Sequence, residues 1–240
     1  MPDESARLMR LATYASVTVA VFLILVKLMA WSQSDSVSLL ATLIDSILDA
    51  FASIINLFAV RHALTPADKE HRFGHGKAEA LAGLSQSLFI AGSALFLLIE
   101  VGSNIINPVE IKYPITSMIV VAVTIVVTLI LVCFQQYVIK KTQSVAITAD
   151  AMHYKSDLLM NGAVILALWL STMGLSIFDP IIGGIIACFI LYSAWNILQI
   201  SMDQLMDKEL PDEVRANIKK IVCTHPKALG LHDLRTRHSG

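Results

Sequence analysis

Six stretches of this 240-residue chain reach or approach the length and apolar content needed to cross a lipid bilayer, and they use up most of it. They run over residues 11–31, 37–62, 78–106, 115–138, 145–172 and 180–200. The hydrocarbon core asks for about 20 apolar residues per helix, and within it every backbone N–H and C=O must be satisfied by the segment itself. An all-α membrane protein, a bundle of six transmembrane helices, is the fold class that follows. With 55% hydrophobic residues, only 15% charged ones and a mean hydropathy of +0.67, the chain is too apolar for a soluble domain of this size. Basic residues ahead of the first stretch resemble a secretory leader. That stretch is too long for one and lacks a small-residue cleavage site, so it reads as the first span.

Lys and Arg are distributed unevenly between the loops, and this sets the orientation. Arg7 and Arg10 precede span one, Arg61, Lys69, Arg72 and Lys77 lie between spans two and three, and Lys140 and Lys141 lie between four and five. The other side holds only Lys112. Both termini are therefore expected in the cytoplasm. The net charge of −1 carries no such information, and no basic, aromatic-rich patch suggests a nucleic-acid partner. Cys133, Cys188 and Cys223 show no C-x-x-C spacing and read as packing residues.

Spans four and six carry no charged side chain, whereas spans two and five carry costly ones. Asp45 and Asp49 are four residues apart, as are His153 and Asp157. Four residues advance an α-helix by about 6 Å and turn it by about 40°, so each pair projects from one face. Ser53 and Asn56 extend the first stripe and Asn161 the second, and the two stripes are expected to line a shared aqueous path. An unpaired carboxylate costs several kcal/mol at mid-membrane, so three close together imply protonation, hydration or a bound metal. The structural alternative is an ion pair with Lys155, but two residues of separation turn Lys155 about 160° to 200° away from the stripe.

Three carboxylates and one imidazole suit four-coordinate Zn²⁺ and would accept Fe²⁺, Cd²⁺ or Mn²⁺, while the lack of thiolate disfavours Cu⁺. Mg²⁺ would prefer six oxygens. Emptied of metal, the site would hold about three negative charges in poorly hydrated surroundings and would take up protons, so metal and protons should compete. Imidazole, with a reference pKa of about 6.5, makes His153 the ligand best suited to that exchange.

Between spans two and three, Asp68, His71 and His75 form a compact D-x-x-H-x-x-x-H set that reads either as a second metal site or as solvated surface side chains. His62, Glu79 and Glu100 lie near span ends and read as interfacial, and His225, His232 and His238 are too isolated to assign by spacing. Gly83, Ser87 and Ala91 in span three, and Gly183 and Ala187 in span six, allow close helix approach, either within the bundle or across a dimer contact. Residues 41–49 align weakly with 149–157 and keep the site positions in register, a thin hint of an internal repeat. Residues 1–206 are thus read as the membrane domain and 207–240 as the start of a cytoplasmic one, with a helix after Pro211 and a strand over 231–240.

D-x-x-x-D in span two, H-x-x-x-D in span five, FGHGKAEALA at 73–82 and DPIIGG at 179–184 together resemble the cation diffusion facilitators. The resemblance covers the whole chain. It implies a homodimeric, proton-coupled exporter of Zn²⁺, Fe²⁺ or Cd²⁺ in a bacterial inner membrane, with six membrane helices and a cytoplasmic α/β domain of ferredoxin-like, metallochaperone-like fold. By the same resemblance Asp45, Asp49, His153 and Asp157 form the transport site, Asp68, His71 and His75 a loop site, and His232 one ligand of a binuclear cytoplasmic site. Zn²⁺ is then both cargo and a structural or regulatory ion. Against the family pattern the cytoplasmic domain is cut short at Gly240, and His238 matches no family ligand. Two other functions are weighed against transport. An intramembrane metalloenzyme would need an H-E-x-x-H helix or an open coordination position with an acid–base Glu, and neither is present. A metal-gated channel or sensor would pass metal or signal without proton exchange.

Overall fold

A computed structural model describes residues 2–34, 37–106, 115–172 and 178–237. Six long helices account for the apolar segments: α1 (Pro2–Ser34), α2 (Val37–Ala63), α3 (Lys77–Ile106), α4 (Ile115–Thr142), α5 (Val145–Thr172) and α6 (Phe178–Leu205). A short amphipathic helix, α7 (Asp212–Thr224), follows. The helices overrun the apolar stretches because a helix, once nucleated, continues into polar flanks where its end groups can meet water.

One end of the bundle is defined by a single apolar cluster. It joins Met9 and Ala12 of α1, Val60 near the end of α2, Ala82 near the start of α3, Val138 near the end of α4, and Ala146 and Ile147 at the start of α5. The end of α6 arrives there too, since Lys77 Nζ donates to the carbonyl of Leu205 at 3.1 Å. The six helices therefore alternate in direction. α5 is central and touches each of the other five, while α3 packs most extensively on α6 and α1 on α2.

Buried positions are mostly small or polar, and the large apolar side chains face outward, among them Phe51, Phe58, Phe96, Ile130, Ile185 and Tyr192. This reverses the pattern of a soluble protein and suits a lipid surround. Cys133 and Cys188 are exposed on that outer surface and Cys223 is exposed on α7, so the packing role expected for them is not what the fold gives. Among the described residues, five helices meet the length and hydropathy of a membrane span: Glu4–Gln33, Thr42–Ala63, Lys77–Ser103, Met118–Thr142 and Ile181–Leu205. The sixth expected span, α5, does not, because Asp150, His153, Lys155, Asp157 and Asn161 crowd its first 17 residues.

Close approach by small residues is spent inside the molecule. A Cβ on Gly83 would lie 2.6 Å from Ser201 Oγ and 2.9 Å from Val145 Cγ1, and one on Gly183 would lie 2.9 Å from Val101 Cγ2. These glycines let α3 and α6 touch nearly backbone to backbone, and Ala187 is fully buried in the same seam.

The α4–α5 link is a tight turn at Gln143, whose φ is 54°. Ser144 Oγ then caps α5 by accepting the Ile147 N–H at 3.2 Å, and Glu79 Oε1 accepts the Ala146 N–H at 3.3 Å, which places a carboxylate at a helix N-terminus. These contacts fix the rotation of the helix that carries His153 and Asp157. Beyond α6, α7 buries no residue, and no strand forms among the described residues of the tail. Residues 231–237 have no neighbouring strand to pair with, and His238 lies outside the described residues.

Candidate metal centre

α2 and α5 bring Asp49, His153 and Asp157 together, with one ligand atom from each lying within 4.8 Å of the others. His153 Nε2 is 2.9 Å from Asp49 Oδ1 and 3.7 Å from Asp157 Oδ2. The imidazole is nearly enclosed, at 8% exposure, and the two carboxylates are at 18% and 19%. Two oxygens and a nitrogen converge where a dication of about 2 Å bond length would fit after small side-chain adjustments. Asp45, one turn away on α2, is exposed and lies outside this set.

The continuation of the α2 stripe does not line an open path here. Ser53 is fully buried and shares a hydrogen bond of 2.9 Å with Tyr154 OH, and Asn56 is 3% exposed. Tyr154 also donates to the Ser16 carbonyl at 3.2 Å, so α1, α2 and α5 are closed together on the side of the site nearer the N-terminus of α5. Polar side chains can line water in one arrangement of helices and bond each other in another, which a linear pattern cannot separate.

Two further charged groups belong to this region, and sequence reasoning passed over both. Asp150, fully buried, accepts from Ser16 Oγ at 2.5 Å and from Gln135 Nε2 at 2.8 Å, which links α1, α4 and α5. Lys27, 8% exposed, donates to Ser46 Oγ at 2.6 Å and to the Thr42 carbonyl at 3.1 Å, tying α1 to the turn of α2 that bears Asp45. The signal was present in both cases: a charged residue inside an apolar segment is costly whether or not a second stands four residues away. Lys155 forms no ion pair with the site carboxylates among the described residues.

Outside the membrane segments, Asp68, His71 and His75 also come within mutual reach of one ion. Asp68 Oδ1 accepts the backbone N–H groups of His71 at 2.6 Å and Glu70 at 2.9 Å. Its oxygens stand 3.4 Å from His71 Nδ1 and 3.4 Å from His75 Nε2. The His71 backbone N–H above all, with that of Glu70, holds the Asp68 carboxyl below the usual range, so it stays ionised. Gly74, with φ of 84°, makes the turn between the two histidines. Nearby, the Arg237 guanidinium lies 3.9 Å from the Phe73 ring centroid and 3.3 Å from Asp207 Oδ2, while Lys77 Nζ is 2.9 Å from Asp207 Oδ1. The tail is thus clamped beside the loop.

Glu79 caps α5 rather than standing at an interface. His225 is exposed, with its Nδ1 accepting the Lys227 N–H at 3.3 Å, and His232 joins no group of three candidate ligands among the described residues.

Comparison with known proteins agrees with this layout. Residues 13–206 match the family described as the cation efflux transmembrane domain. Proteins named cation-efflux pump FieF from Yersinia enterocolitica and Cronobacter sakazakii are each 46% identical over all 240 residues, and one from Serratia proteamaculans is 45% identical. The match covers the whole of this chain and 80% of each relative. With a family match over most of its length and identity of this order throughout, the chain belongs to the cation efflux family: it is a multi-pass membrane transporter, not an enzyme.

Proposed function

We propose that this protein exports a divalent cation, with Zn²⁺ the favoured cargo and Fe²⁺ and Cd²⁺ accepted, in exchange for protons entering from the other side. The observation that carries the reading is the convergence of Asp49, His153 and Asp157 from two helices in the interior of the bundle. Carboxylate and imidazole ligands suit Zn²⁺ and its neighbours and give a harder ion no full oxygen shell. Asp45 joins as a fourth, weaker ligand when α2 shifts relative to α5. Asp68, His71 and His75 form a second metal site in the loop, and His232 belongs to a cytoplasmic site in a soluble domain that begins near residue 207.

Buried Ser53, Asn56 and Tyr154 close the site toward the clustered helix ends, whereas Asp45 on the opposite side is exposed. With both termini in the cytoplasm, as the Lys and Arg distribution implies, this conformation faces outward. Alternating access then consists of breaking the Ser53–Tyr154 and Asp150 contacts while Asp45 is covered. The protein works in an inner membrane as a homodimer, as the resemblance to the cation diffusion facilitators implies.

Vesicles containing the purified protein and loaded with a zinc-sensitive and a pH-sensitive dye test the exchange. Zinc influx should alkalinise the lumen, because protons leave as metal enters. Zinc flux without any proton flux would overturn antiport in favour of a metal-conducting channel.

A further inference from the structure

We infer that His62 is a fourth protein ligand of the loop site, which makes it a closed, four-coordinate Asp–His₃ site for Zn²⁺ or a similar dication rather than a three-ligand site completed by water. The inference rests on the proposal that Asp68, His71 and His75 hold metal. His62 lies in the last turn of α2, outside the loop motif, and by sequence it looks interfacial. In space its ring centroid is 4.6 Å from that of His75, at 66°, and the His71 ring centroid is 4.7 Å from that of His75. The three imidazoles line a cavity of about 240 Å³ together with Lys77 and Arg237, whose charges are both directed to Asp207, and His62 stands just outside the group of Asp68, His71 and His75 whose ligand atoms lie within 4.8 Å of one another.

His75 sits at the centre, with its side chain only 7% exposed. Its Nε2 faces Asp68, and its buried Nδ1 has no hydrogen-bond partner among the described residues. A metal shared with Asp68 would take Nε2, so the unpaired Nδ1 does not mark the ion's position; what marks it is the grouping of three imidazoles beside one carboxylate. Zn²⁺ in closed sites takes four protein ligands in a tetrahedron, and Asp68, His71 and His75 supply three. His62 is exposed, so a change of rotamer brings its nitrogen toward the others without disturbing packing. The chelate His62-x₅-Asp68-x₂-His71-x₃-His75 then ties the last turn of α2 to the α2–α3 loop. Metal in the loop would restrain the helix that carries Asp49.

The test uses the full-length chain with Asp49→Ala and Asp157→Ala, which disable the membrane site, titrated with Co²⁺ as a spectroscopic substitute for Zn²⁺. The parent should show the intense absorption of four-coordinate Co²⁺. Adding His62→Ala should weaken binding by about 10-fold or more and lower the absorption per ion as water enters the shell. Should His62→Ala leave affinity and band intensity unchanged while Asp68→Ala abolishes both, the fourth ligand is refuted and the three-residue loop site stands. Indifference to Asp68→Ala as well would remove the loop site itself, and this inference with it.

Discussion

Replacing Asp49 by Ala separates the proposed transport site from the fold more cleanly than any other change in this protein. Asp49 Oδ1 is the nearest carboxylate oxygen to His153 Nε2, at 2.9 Å, and belongs to the three-residue set, whereas Asp45 does not. Changing a residue that merely orients a metal ligand costs about 10- to 100-fold in affinity, so losing a ligand should cost at least about 100-fold, or roughly 2.8 kcal/mol. The fold should not suffer in proportion. Ala is the best helix former, the side chain is already 18% exposed, and taking a carboxylate out of an apolar span removes an insertion cost of about 3 kcal/mol. Expected, then, is a monodisperse, inserted protein that neither binds zinc in the membrane domain by equilibrium dialysis nor moves it in dye-loaded vesicles. Asp45→Ala should cost clearly less in binding, because Asp45 stands outside the set in this conformation. Zinc uptake by Asp49→Ala at the parent rate would refute the site, and equal binding losses for Asp45→Ala and Asp49→Ala would refute the three-residue geometry as the loaded one.

Two other perturbations probe the packing and the loop. Gly83→Val places atoms where Ser201 Oγ and Val145 Cγ1 already stand, so overpacking of about 1–3 kcal/mol should lower the unfolding temperature in detergent, while Gly92→Val, with nothing within 4 Å of its Cβ position, should not; equal effects would contradict the close α3–α6 seam. Asp68 titrates below the usual carboxylate range, so its charge is present above that range and is lost only as pH falls through the lowered value. The ratio of loop-site metal affinities between the parent and Asp68→Asn should therefore stay constant from about pH 7 to pH 5, and a ratio that falls toward one over that interval would mean the carboxylate is not held ionised.

The elements most legible in the sequence were those fixed by solvation alone. Six apolar segments lie within six helices because lipid permits little else. Asp49, His153 and Asp157 stood out because an acidic or imidazole group inside such a segment is too costly to be incidental. What remained hidden depends on how helices are rotated against each other. Asp45 and Asp49 are equivalent by spacing, yet only one reaches α5 in this conformation. Asp150 was as costly as its neighbours, but its partners are neutral: Ser16, 134 positions away, and Gln135, within an apolar span whose lack of charge made it look featureless. Lys27 likewise leans on a hydroxyl and a carbonyl rather than on a carboxylate. Around this site the neutral residues decide which face of α5 is closed, because a buried charge that finds hydroxyl and amide partners can hold two helices together without an opposite charge. Ser53, Tyr154, Ser16 and Gln135 bond the closed side while Asp45 is left exposed, so under the proposed alternating access the helix contacts that would break are hydrogen bonds among neutral groups and Asp150. Contacts of that kind, worth about 0.5–1.5 kcal/mol each when neutral and somewhat more when charged, are weak enough for the proposed exchange of a dication for protons to tip.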